Sequence, residues 1–173
     1  MISFDPTEDM KDQAVRYALS QCADVTRIKA PRVVIYPAEE ACGVFFYPDR
    51  RFALGYERPT VGRFVPLPNV WEPAEQRHIR YAFDYDALEA GVIREYGGLP
   101  SGFVQLWHSH LTSEPPSEAD HAAVDVLAEG LRGHPLWAPA EYHLVLCVSD
   151  DLWWRYAGSV HAGNAMAMAA MSQ

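Results

Sequence analysis

Residues 107–110 read Trp-His-Ser-His, and Asp120 follows ten residues after His110. Side chains two apart on a strand share a face. A strand through Gly102–His110 would therefore stand His108 and His110 together, with Cα atoms roughly 6–7 Å apart. Trp107 alternates with them and would face away, into the core. Two imidazoles at that spacing converge on one ion, and Asp120 could complete the set from the start of the next helix. Three protein ligands with a fourth tetrahedral position left for water is the arrangement of catalytic zinc, whereas structural zinc is closed by four side chains. A strand end, a loop and a helix start must then all meet at one point.

An isolated H-x-H pair is a weak signal, and the loop has a second reading. Ser117-Glu118-Ala119-Asp120 is also a capping box with Asp in place of Glu. Ser117 would cap the first turn, Pro115 and Pro116 would end the loop, and Asp120 would favour the positive helix end. Capping and ligation are compatible, because a helix N-terminus holds an aspartate rigidly.

A second segment adds chemistry. Glu39 and Glu40 stand just before the apolar run Ala41-Cys42-Gly43-Val44-Phe45-Phe46. A hydrolytic zinc site needs a base that takes a proton from water and passes it to the leaving group, and Glu40 is the candidate. Taken alone, the two glutamates read as an ordinary solvated turn.

Together, Glu40-Ala41-Cys42-Gly43, the later His108-Ser109-His110 and Ser117-x-x-Asp120 resemble the JAB/JAMM (MPN-plus) metalloprotease family. Pro68-Asn69-Val70 and Tyr81-Ala82-Phe83-Asp84 resemble its middle segment, so the likeness spans roughly residues 33–157. The resemblance implies His108, His110 and Asp120 as zinc ligands, Glu40 as general acid/base, and Ser117 as a group that helps hold a tetrahedral oxyanion. It implies a JAB/MPN (cytidine-deaminase-like) fold. It also implies cleavage after the C-terminal glycine of a ubiquitin-like or sulfur-carrier protein, as deconjugation or precursor processing, including in bacterial antiviral systems. Two departures stand out: Leu111 occupies a position where the family commonly has proline, and the loop from His110 to Ser117 is one residue shorter than usual. The shorter loop is expected to tilt Asp120 or tighten the groove without removing a ligand. Alternative readings are a phage tail-assembly JAB-domain protein and a catalytically silent MPN scaffold. The first usually carries a fused cell-wall peptidase domain and the second usually lacks a ligand, so both rank below the enzyme.

Composition narrows the class. A chain of 173 residues suits one domain with one core, and 49% hydrophobic with 21% charged residues argues globular rather than disordered. Cys22, Cys42 and Cys147 form no C-x-x-C pair, which argues against a zinc ribbon or disulfide framework. Cys42 and Cys147 read as buried small hydrophobes. The net charge of −9 argues against nucleic acid as a partner and suits a basic protein or peptide. Met1–Pro6 is too polar for a signal peptide and no apolar stretch is long enough to span a membrane, so cytoplasmic residence is the expectation. Oligomeric state is not legible.

The expected class is α/β (α+β): a single layered domain with a mixed sheet flanked by helices. Helices are expected over Thr7–Cys22, Tyr85–Tyr96 (ended by Gly97-Gly98) and Ser117 to about Leu131. Strands are expected at Arg32–Ile35, Gly43–Phe46, Phe52–Tyr56, Arg80–Phe83 and Phe103–His108, with a closing hairpin of Tyr142–Val148 and Leu152–Tyr156. Phe52–Tyr56 is expected to pair with the strand before it. Pro59–Pro73, with its four prolines, reads as an extended loop over the sheet, and residues 158–173 as a tail. His121 reads as a surface or supporting residue beside Asp120. His78, His134, His143 and His161 read as surface or hydrogen-bonded core residues.

Overall fold

The computed structural model describes residues 5–21, 39–49, 61–111, 115–148 and 153–158. Alternating apolar residues at Val104, Leu106 and Phe103, Trp107 make the central strand, β3 (Gly102–His110), two-faced, and every residue in it is buried. Antiparallel to β3 runs β1 (Cys42–Pro48), whose other edge carries β2 (Arg63–Leu67). On the far edge of β3 lie the short parallel strand β4 (Trp137–Pro139) and the parallel strand β5 (Tyr142–Cys147), followed by antiparallel β6 (Trp153–Gly158). Among the described residues the result is a six-stranded mixed sheet of path β2-β1-β3-β5-β6 with β4 beside β3.

Each face of the sheet is covered. Helix α1 (Glu8–Gln21) lays Met10, Ala14 and Ala18 against Phe45, Phe64, Trp107 and Leu144. Helices α2 (Tyr85–Tyr96) and α3 (Glu118–Gly130) lay Leu88, Val92 and Leu127 against Val44, Val65, Val104 and Leu106 on the other. Full burial of such side chains contributes roughly 1.5–3 kcal/mol each. Helix ends follow local chemistry: the Asp84 carboxylate accepts from the Ala87 N–H, and Gly97 ends α2 at φ 75°, where a glycine is favoured. No helix among the described residues is long and apolar enough to cross a membrane.

Most expected elements are present, within a residue or two of the expected ends. Two corrections concern the proline-rich stretch and its sequel. Residues 63–67 form β2 instead of a loop, because a proline is tolerated on an edge strand, and Pro66 sits opposite Gly43 there. Arg80–Phe83 forms no strand; its backbone groups bond the Asn69 side chain and the Val70 N–H instead of a ladder. The strand β4 was not expected. Arg32–Ile35, Phe52–Tyr56 and residues 159–173 lie outside the described residues; β1 itself pairs with β2 and β3.

Candidate metal centre

The site lies at the carboxyl end of β3, where the strand delivers His108 and His110 to the α2/α3 face. Their neighbour Trp107 is fully buried on the α1 face, as the alternation requires. The register Cys42↔His108 carries the chain before β1 alongside His110. Ser109, between the two histidines, secures that approach: its N–H donates to the Ala41 carbonyl and its hydroxyl accepts from the Ala41 N–H, both at 2.9 Å. Glu40 is thereby held at the strand end on the histidine face, 6% exposed. Glu39 turns away and pairs with Arg77 at 3.7 Å.

A second clamp holds Glu40 from the β2–α2 connection. The Asn69 side-chain amide donates to the carbonyls of Glu40 and Arg80 at 2.9 Å, and its oxygen accepts from the N–H groups of Trp71 and Ala82 at 3.1 Å. The Glu40 N–H donates to the Arg77 carbonyl at 2.7 Å. Cys42 adds weak thiol contacts to the carbonyls of Leu67 and Pro68 at 3.7 Å. Burial pushes its thiol up to about 12, so it behaves as the small buried hydrophobe expected; Cys147 is likewise buried.

Asp120 arrives from the first turn of α3. Ser117 is the N-cap in a complete capping box: its hydroxyl accepts from the Asp120 N–H, while Asp120 Oδ2 accepts from the Ser117 N–H at 2.6 Å and from its hydroxyl at 2.9 Å. The same carboxylate sets Oδ1 3.4 Å from His108 Nε2 and Oδ2 3.3 Å from His110 Nε2. Capping and convergence thus coexist, and the short connection from His110 to Ser117 still brings Asp120 to both histidines. Leu111 is buried beside them.

The electrostatics follow from burial and crowding. Loss of water holds the His108 imidazole well below its ordinary range, with the neighbouring imidazoles adding to that and Asp120 opposing it. His143 is held down to about 4, again by burial first. Burial pushes the Asp120 carboxyl upward, but the hydrogen bond from His110, the electrostatic effect of the adjacent His108 ring and the Ser117 donors outweigh it. The carboxyl therefore lies well below the usual carboxylate range. Imidazole nitrogens and carboxylate oxygens crowd together at this buried site, an arrangement that a cation would relieve.

Glu40, His108 and His110 present donor atoms within 4.8 Å of one another, and so do His108, Asp120 and His143. These buried groups could hold a metal ion. Glu40, His110, Ser117 and Asp120 line a cavity of about 900 Å³, which Phe83, Leu106 and Ala123 also line with apolar side chains. All five residues singled out in the sequence, Glu40, His108, His110, Ser117 and Asp120, meet here. Sequence reasoning missed the supporting shell: Asn69, Tyr81 stacked on His108 at a centroid distance of 4.4 Å, and His143. Of the two sequence readings of His143, surface or hydrogen-bonded core, the structure selects the second. The parity of Tyr142–Cys147 against Gly102–His110 was the one signal that could have placed it on the ligand face. His121 and His78 are exposed, while His134 stacks on Trp137.

No family model, no curated protein and no solved structure matches the chain.

Proposed function

We propose that this chain is a zinc-dependent peptidase or isopeptidase of the JAB/JAMM type, acting after the C-terminal glycine of a ubiquitin-like or sulfur-carrier protein. The observation that carries the reading is the convergence of two histidines, one aspartate and one glutamate, all buried, beside a cavity that Glu40, His110 and Asp120 line. The layered mixed sheet is compatible with the JAB/MPN fold. A mixed nitrogen and oxygen donor set suits a first-row divalent cation better than the all-oxygen shells of calcium or magnesium. His108, His110 and Asp120 would hold the ion, leaving Glu40 for proton transfer. When bound there, zinc would supply Lewis acidity to the scissile carbonyl and to the attacking water.

The chain's own groups then divide the work. Glu40, fixed through its main chain by Asn69 and Arg77, takes the proton of the attacking water and returns it to the departing amine. Ser117 lies on the cavity wall with its hydroxyl proton engaged by Asp120 Oδ2. To steady a developing oxyanion it must turn that proton toward the cavity. The apolar wall shields the reacting centre from bulk water. The retained donor set supports this reading over a metal-free scaffold.

The test is zinc content by elemental analysis, followed by cleavage of linear ubiquitin-like fusions. Wild type is expected to carry about one zinc per chain, Glu40→Ala to keep it, and His108→Ala and Asp120→Ala to lose it. Wild type that stays metal-free after zinc add-back would overturn the reading.

A further inference from the structure

His143, on β5, is fully buried and bonded on both sides of its ring. Its Nδ1 lies 3.1 Å from the backbone carbonyl oxygen of Asp120, and its Nε2 lies 2.7 Å from Nδ1 of His108. We propose that His143 is a positioning residue that holds His108 as the Nδ1–H tautomer and so presents a bare Nε2 to the metal.

The assignment follows from donor and acceptor chemistry. A carbonyl oxygen only accepts, so Nδ1 of His143 must carry hydrogen to bond Asp120. A neutral imidazole has a single N–H, which leaves Nε2 of His143 as an acceptor. Its 2.7 Å partner, Nδ1 of His108, must then be the donor. The remaining nitrogen of His108, Nε2, faces Asp120 Oδ1 at 3.4 Å with a lone pair and no proton. Both rings are enclosed, His108 at 1% and His143 at 0% exposure, and burial disfavours the charged form of an imidazole.

Two further contacts lock the geometry. Tyr81 stacks on the His108 ring with an interplanar angle of 20°, and its hydroxyl lies 3.4 Å from His143 Nε2. Asp120 enters twice, with its carboxylate in the donor set and its carbonyl orienting His143. The first turn of α3 therefore sets both the third ligand and the tautomer of the first. Partners on the far nitrogen of a ligating histidine commonly tune metal affinity by 10–100-fold. The consequence for metal affinity rests on the metal-site reading above; the tautomer itself is a property of the metal-free chain.

The experiment is long-range ¹H–¹⁵N correlation on metal-free protein labelled at histidine, with His108 and His143 assigned by single substitution. Both rings are expected in the Nδ1–H form at neutral pH. An Nε2–H or doubly protonated His108 would overturn the proposal, whether or not the protein binds zinc. His143→Leu removes the acceptor, and His143→Gln restores one. Against a zinc chelator, the leucine variant is expected to lose roughly 10–100-fold in affinity, and glutamine to recover most of it. Equal losses in both variants, with each one folded, would assign His143 a packing role and overturn the proposal.

Discussion

Asn69→Ala removes the clamp that ties the β2–α2 connection to Glu40. Four hydrogen bonds of 3.1 Å or shorter go at once, two donated to the carbonyls of Glu40 and Arg80 and two accepted from Trp71 and Ala82, together with a long 3.5 Å contact to the Arg77 carbonyl that adds little. The bond to Arg80 is solvent-exposed and water replaces it; the other three are partly buried. At a net value of about 1 kcal/mol for each partly buried bond, the loss is about 3 kcal/mol. With a urea m-value of about 2 kcal/mol/M, the unfolding midpoint should fall by about 1.5 M at unchanged m. Asn69→Asp keeps the acceptor but turns a carboxylate oxygen toward two carbonyls, and should be no more stable than alanine. Glu72→Ala breaks only an exposed pair with Arg77 and should shift stability by less than about 1 kcal/mol. An Asn69→Ala midpoint within about 0.3 M of wild type, on the same m-value scale, would show that these bonds do not hold the loop to the Glu40 segment.

Glu40→Gln keeps volume and removes the proton acceptor. Cleavage of a linear ubiquitin-like fusion should fall about 10²–10⁴-fold with zinc content unchanged, and near-wild-type turnover would exclude Glu40 as the base. Gly43→Ala would place a Cβ 2.6 Å from the Val65 carbonyl oxygen, across the β1–β2 pair. It should cost about 1–3 kcal/mol in thermal or urea unfolding, and an unchanged Tm would contradict that packing. In the metal-free protein, His143 titrates near 4 when folded but near the ordinary 6.5 when unfolded. Between those values the unfolded chain binds the proton and the folded chain does not. Stability should therefore fall as pH drops through that window, by roughly 1.4 kcal/mol per pH unit for this group. His108 adds in the same direction. Asp120, held below the usual carboxylate range, keeps its contribution throughout. A Tm that is flat from about pH 7 to pH 5 would refute this linkage.

The amino-acid order determined on its own whatever depends on residues close in sequence. Strand parity placed His108 and His110 on one face and Trp107 on the other, since a pleated strand alternates regardless of its neighbours. Ser117 and Asp120 announced a helix start, because a capping box closes within one turn. Gly97 marked the end of α2 for the same local reason. Edge tolerance of proline hid β2, and the extended look of Arg80–Phe83 suggested a strand, since neither propensity says which backbone partners are at hand. Only the tertiary structure decided that Cys42 lies opposite His108, which brings Glu40 to the histidines, and that Asn69 reaches across to hold it there. It alone set His143 against His108, 35 residues apart along the chain and 2.7 Å apart at the ring nitrogens. Such contacts depend on strand order and register, which are settled by burial of two whole sheet faces rather than by any short motif.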